Sequence, residues 1–199
     1  MIAGLIRLLT GAQARWTGCA PDPVQRIYFA NHTSHLDFPV IWASLPPALR
    51  LLTRPVAARD YWDATRLRRY LAKDVFRAIM IERNAAGRDN PLRPMEEALS
   101  AGDSLIIFPE GTRAVDEDAG LAPFKSGLYH LAQRYPDVQL VPVHLENLNR
   151  ILPKGKYLLI PLLAAVSFGA PIRLLPEEDK RTFLDRARAV VARLEEAHA

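Results

Sequence analysis

A single α/β domain, built on a mixed and mostly parallel sheet flanked by helices, is what this sequence predicts. Three observations lead there. Short apolar runs of strand type alternate with helix-period segments through most of the 199 residues. Runs such as RIYFA (26–30) and SLIIF (104–108) read as buried strands between polar loops. The composition, 49% hydrophobic and 24% charged, is that of one ordinary globular domain large enough to bury a core.

The elements follow in order. The opening MIAGLIRLLTGAQARW places Ile2, Leu5, Ile6, Leu8 and Leu9 around Arg7. It is too short to cross a bilayer, which needs about 20 apolar residues, and it lacks the regions of a secretory signal. It reads as a short amphipathic helix, lying in a membrane interface or docked on its own domain. Residues 1–20 are therefore set apart from a main domain at 21–199. Strand 26–30 leads through a polar loop into a helix over 38–46, with Pro39 in the first turn, where N–H groups have no intrahelical partner. A strand follows at 54–58.

Residues 59–73 read as one helix with two faces. Tyr61, Ala64, Leu67 and Leu71 form an apolar stripe; Trp62, Arg66, Arg69 and Lys73 form another suited to lipid headgroups, or to a solvated basic face. Strands at 78–82, 104–108 and 138–145 alternate with helices at 92–102, closed by Gly102, and at 125–135. The apolar run 157–172 contains Pro161, Gly169 and Pro171, which fit buried strands and a turn better than a span. A last helix from near Glu177 buries Phe183, Ala187, Val190 and Leu194. No transmembrane helix is predicted.

The net charge of +4 and pI near 9.4 favour anionic partners. No dense Lys/Arg block of the nucleic-acid type is present. A lone cysteine, Cys19, allows no disulfide framework and no multi-cysteine metal site, and it fits a reducing, cytosolic setting.

Two polar loops follow buried strands and could share one mouth. In NHTSHLD (31–37), His32 and Asp37 are spaced so that a turn can bring imidazole and carboxylate together. Asp37 would fix the tautomer and leave the other ring nitrogen as a base. By spacing alone, three rivals stand beside this reading: a metal site of His32, His35 and Asp37, a helix-capping Asp37, and a core His32. In FPEGTR (108–113), Gly111 permits close backbone approach, Thr112 adds a hydroxyl and Arg113 offers a planar fork for phosphate. Glu110 is expected to orient Arg113 or a substrate hydroxyl, and a turn with a surface ion pair is the plain alternative. FKSG (124–127) places Lys125 at a helix start.

Taken together these blocks resemble the glycerolipid acyltransferase superfamily, which acts on glycerol-3-phosphate and lysophosphatidic acid. NHTSHLD and FPEGTR are similar to its first and third blocks. RAIMIER (77–83) is similar to the second, and VPV (141–143) to the fourth, in the same order. The similarity spans about residues 26–172; the second block departs from the family pattern at Arg77 and Met80. The resemblance implies a glycerol-3-phosphate acyltransferase-like fold for 21–199. It implies an O-acyltransferase with His32 as catalytic base and Asp37 as its partner. Arg83, Glu110, Gly111, Thr112, Arg113 and Lys125 fall on the substrate side, Pro142 matches the fourth block, and His35 falls at a variable position.

The expected reaction moves a fatty acyl group from a thioester to the hydroxyl of a lysophospholipid, most directly 1-acyl-glycerol-3-phosphate to give phosphatidic acid. Glycerol-3-phosphate or another lyso-lipid is the alternative acceptor, and a non-catalytic lipid- or anion-binding module is the alternative class. No metal or cofactor is expected beyond acyl-CoA or acyl carrier protein as co-substrate. No nucleic acid is expected as partner. The expected location is cytoplasmic, peripheral on the inner face of the cell membrane. Backbone N–H groups near Thr33, Ser34 or Gly111 are the expected oxyanion donors.

Overall fold

The structure, a computed structural model, describes residues 2–82, 90–112, 120–148 and 164–196. Arg83, Arg113 and the first part of the apolar run, 157–163, lie outside the described residues.

A seven-stranded sheet organises the described residues, in the order β1-β7-β6-β2-β5-β3-β4. Its strands are β1 (Gln13–Trp16), β2 (Arg26–Ala30), β3 (Thr53–Ala58), β4 (Ile79–Ile81), β5 (Ser104–Ile107), β6 (Gln139–Glu146) and β7 (Ala165–Phe168). Every neighbouring pair is parallel except β6 with β7. This is the mostly parallel, mixed α/β sheet that the sequence predicts.

The central strand β2 is buried along its whole length because the sheet is covered on both faces. On one face Tyr28 and Ala30 join Phe38, Ile41, Phe76 and Phe168; on the other Ile27 and Phe29 join Leu99, Leu128, Phe183 and Val191. The first layer is built by α1 (Ile2–Thr10), α2 (Asp37–Ser44) and α3 (Pro47–Leu51). The second is built by α6 (Arg93–Ser100), α7 (Gly127–Arg134) and α8 (Lys180–Glu196).

Several elements differ from the sequence expectation. The helix predicted over 59–73 is broken into α4 (Arg59–Trp62) and α5 (Arg66–Tyr70), then a π-turn over Leu71–Val75. Thr65 restarts it, its hydroxyl accepting the N–H of Arg68. The break frees Tyr61 and Trp62 to turn inward, where Trp62 packs on Phe38, while the supposed core residue Leu67 is 68% exposed. Arg77, at φ 52°, then swings the chain into β4.

The last helix begins at Lys180 rather than near Glu177, because Glu177 has φ 60° and the Asp179 carboxylate accepts the N–H groups of Arg181 and Thr182. Its fully buried stripe is Phe183, Ala187 and Val191, with Val190 only partly covered. Gly102, at φ 86°, closes α6 as expected.

Strand β1 and helix α3 carry no clear sequence signal. β1 is a short edge strand, fixed by pairing with β7 and by Trp16 stacking 3.9 Å from Phe168. α1 is docked: Ala3 and Thr10 are buried, and the Arg7 guanidinium donates to Ala43 O at 2.6 Å, at the carbonyl end of α2. Its outer residues Leu5, Leu8 and Leu9 stay exposed.

Candidate functional site

The strands β2, β5 and β3 run parallel, so their carboxyl ends open on the same edge of the sheet. Asn31 and His32 follow β2, Phe108 to Thr112 follow β5, and Tyr61 and Trp62 follow β3 within α4. A cleft of about 330 Å³, counting its open mouth, lies between them. His32, Ser34 and His35 line it beside Phe38, Val56, Ala57, Tyr61, Trp62 and Phe108, so that imidazole and hydroxyl groups share the opening with aromatic and aliphatic side chains.

There His32 Nδ1 lies 2.8 Å from Asp37 Oδ2. Asp37 is fully buried at the first turn of α2, and His32 keeps 14% of its side chain exposed. The same Oδ2 accepts the N–H groups of Thr33 at 2.7 Å and Ser34 at 2.9 Å. Asp37 therefore does not cap its own helix: it reaches back and folds the loop that carries His32. The imidazole is stacked on Phe108 at 4.4 Å, which fixes its plane. With Nδ1 committed to the carboxylate, Nε2 is the nitrogen left for a proton transfer.

Two residues hold this loop in place. The Asn31 amide bridges both backbone groups of Leu145 on β6, accepting from its N–H at 2.8 Å and donating to its carbonyl at 3.0 Å. Sequence reasoning assigned Asn31 no role; its place at the end of a buried strand was the available signal. Glu110 is 3% exposed, and its two oxygens accept the N–H groups of His32 at 2.8 Å and Ala122 at 2.9 Å. Its carboxylate faces backbone, not the cleft.

Gly111 turns the chain at φ 73°, a conformation that favours glycine. The arm of Lys125 lies across it: a Cβ on Gly111 would come within 2.6 Å of Lys125 Cε. Glycine thus opens the track along which the ammonium reaches the turn. Thr112 is exposed beside it.

His35 points to the other wall, its ring stacked 3.4 Å from Tyr61, whose ring also carries the Arg68 guanidinium at 4.2 Å. Among the described residues no three His, Cys, Asp or Glu side chains converge as a metal would need.

The expected oxyanion donors are otherwise engaged. The amides of Thr33 and Ser34 serve Asp37, and that of Gly111 donates to Phe108 O at 3.0 Å. The loop spends these amides on folding around the carboxylate.

Comparison with known proteins gives three results. A family model described as Acyltransferase matches residues 20–146. The chain is 30% identical over 181 residues to a 1-acyl-sn-glycerol-3-phosphate acyltransferase of Limnanthes douglasii, covering 86% of this chain and 59% of that protein. It is 26% identical over 126 residues to the Saccharomyces cerevisiae protein of that name, covering 63% of this chain and 40% of that protein. The chain thus spans less than two thirds of the length of these relatives. The fold is similar to the crystal structure of the 1-acyl-sn-glycerophosphate (LPA) acyltransferase PlsC from Thermotoga maritima. That match has TM-score 0.69 and 20% identity, over 97% of this chain and 79% of that one.

Proposed function

The chain belongs to the acyltransferase family, and from that premise we propose that it transfers a fatty acyl group from a thioester to the hydroxyl of a lysophospholipid. The names of its relatives favour 1-acyl-glycerol-3-phosphate as acceptor and phosphatidic acid as product. The observation that carries the reading is the His32–Asp37 hydrogen bond facing the cleft at the carboxyl ends of β2, β5 and β3.

In this mechanism His32 Nε2 takes the proton of the acceptor hydroxyl as its oxygen attacks the thioester carbonyl carbon. The buried Asp37 carboxylate stabilises the imidazolium that forms. The tetrahedral intermediate collapses with loss of the C–S bond, and the proton passes from His32 to the departing thiolate. The cleft wall of Phe38, Val56, Trp62 and Phe108 offers apolar contact to the acyl chain. Lys125, Thr112, Arg83 and Arg113 are assigned to the acceptor phosphate.

The partner surface we assign to a lipid bilayer, on the inner face of the cell membrane. No described helix is long and apolar enough to cross a membrane. Instead, exposed Leu5, Leu8 and Leu9 on α1, the helix that Arg7 ties to the carbonyl end of α2, are the apolar side chains we assign to it, with exposed Leu51 ending α3 and Leu52 following. The Arg50 guanidinium lies over Trp42, and Leu67 and Tyr70 are exposed on α5. Trp62, placed by the sequence on a stripe suited to lipid headgroups or to a solvated basic face, lines the cleft.

Acyl-CoA and acyl carrier protein donors assayed against lysophosphatidic acid, glycerol-3-phosphate and other lyso-lipids test the reaction. Transfer to a lysophospholipid that falls ~10²–10⁴-fold in His32→Ala is expected. Near-normal turnover by the purified variant would remove His32 as the base.

A further inference from the structure

Glu110 lies in the FPEGTR block, whose residues were expected on the substrate side. Its geometry is at odds with a substrate ligand. Both carboxylate oxygens are occupied by backbone N–H groups, and only 3% of the residue is exposed. One of those groups belongs to His32 itself. The other, that of Ala122, lies on the segment leading to Lys125, whose own N–H donates to Pro109 O at 2.8 Å. Two donors from distant parts of the chain therefore meet on one buried charge, and charge-assisted bonds of this kind are the strong ones.

We infer that Glu110 is a positioning residue for the base: it fixes the backbone of His32 from below while Asp37 fixes the ring, and it locks the Lys125 segment to the same loop. The two carboxylates divide the work. Asp37 sets the tautomer and ring orientation; Glu110 sets where along the cleft the ring stands. A buried carboxylate whose removal strands two half-buried N–H groups leaves the loop free to shift, and a shift near 1 Å at a reacting group can cost ~10²-fold in rate. The consequence is specific. Loss of Glu110 lowers kcat first, with acceptor KM rising less through the loosened Lys125 segment, whereas loss of a phosphate ligand chiefly raises KM.

The inference rests on the proposed acyl transfer for its kinetic arm, so a second arm needs no substrate. Glu110→Ala is expected to lower kcat ~10²-fold and Glu110→Gln about tenfold, with a smaller rise in acceptor KM in both. Gln keeps the shape but presents an amide donor to one of the two N–H groups. In parallel, diethyl pyrocarbonate labelling of the full chain, read by peptide mass spectrometry, compares His32 with exposed His130 in the same sample. A His32/His130 labelling ratio that departs about threefold or more from wild type in Glu110→Gln is expected, since Nε2 access depends on where the loop holds the ring. An unchanged ratio overturns the inference, as does a raised acceptor KM at unchanged kcat. Failure of every acceptor with the wild-type chain, beside a changed ratio, would count against the proposed reaction and leave the positioning role standing.

Discussion

Replacing Asp37 by Asn is the sharpest probe of the His32–Asp37 pair. The volume is nearly unchanged, but one oxygen of the carboxylate becomes an NH2 group. Asp37 Oδ2 now accepts three N–H groups, from His32, Thr33 and Ser34, at 2.7–2.9 Å. Asn offers one accepting oxygen and no charge. If that oxygen keeps the three donors, the NH2 group takes the place of Oδ1, a buried atom with no partner among the described residues. A buried unsatisfied donor then costs ~1–3 kcal/mol of stability. If the amide flips, its NH2 group meets three donors, and the loop must open.

In either orientation the imidazolium loses its counter-charge. In a Ser-His-Asp enzyme the same exchange lowers kcat ~10⁴-fold, which is about 5.4 kcal/mol at ~1.36 kcal/mol per factor of ten. The acceptor hydroxyl replaces the serine here and the wall is partly open, so the expected loss is ~10³–10⁴-fold. The assay is steady-state transfer with saturating thioester, run on Asp37→Asn, His32→Ala and the double variant, with melting temperatures as a control for folding. Because Asp37 acts through His32, the double variant should be no slower than His32→Ala. Multiplicative losses in the double variant, or Asp37→Asn within about tenfold of wild type, would refute the base-and-partner assignment.

Gly111→Ala forces a side chain into φ 73° and against the Lys125 arm; a cost of ~1–2 kcal/mol and a melting point lower by ~2–8 °C are expected. Part of that loss should return in Lys125→Ala, where only the backbone strain remains. Liposome flotation with anionic vesicles should weaken about tenfold or more when Leu5, Leu8 and Leu9 are changed together to Ser, each buried CH₂ being worth ~0.8 kcal/mol. Unchanged flotation would move the membrane surface elsewhere. Glu178, held by Arg186 at 2.6 and 2.7 Å, has its carboxyl pulled below the ordinary range, chiefly by that side-chain hydrogen bonding. A depressed folded-state pKa adds stability above the unfolded pKa and loses it as pH falls through the folded one. Glu178→Gln should therefore lower the melting point at pH 7 and match wild type at about pH 2.

What could be read from sequence was what repeats or alternates. β2, β5 and β6 are apolar runs between polar loops, and their burial on both faces follows from their central, parallel pairing, whereas β3 is fully buried on one face only. The His32–Asp37 pair could be read as a candidate because five positions and a turn suffice to bring its ends together. Helix 59–73 could not be read correctly, since Leu67 keeps helical spacing with Leu71 yet is left outside while Leu71 packs against the core. There the inward turn of Trp62 onto Phe38 won over periodicity, a tertiary contact that no local window contains. β1 was lost for a similar reason: QARW becomes a strand only because β7 offers it an edge.

The roles of Asn31 and Glu110 were the least legible part of the site, and they show why a motif is more than its reacting atoms. Each side chain bonds to backbone that is remote in sequence, Leu145 and Ala122. Such bonds depend on position and not on the identity of the residue contacted, so no pattern of residue types announces them. Glu110 and Asp37 together engage three successive amides of the His32 loop. His32 donates to Glu110, while Thr33 and Ser34 donate to Asp37. A loop with free amides could have met the oxyanion of a tetrahedral intermediate itself; this one has exchanged that capacity for a fixed base. Charge developing on the thioester oxygen must then be met by groups facing the cleft from elsewhere. Because a removed donor of this kind typically costs ~10²–10³-fold in kcat, the donor is identifiable: its loss, unlike that of Asp37, should add to the loss at His32.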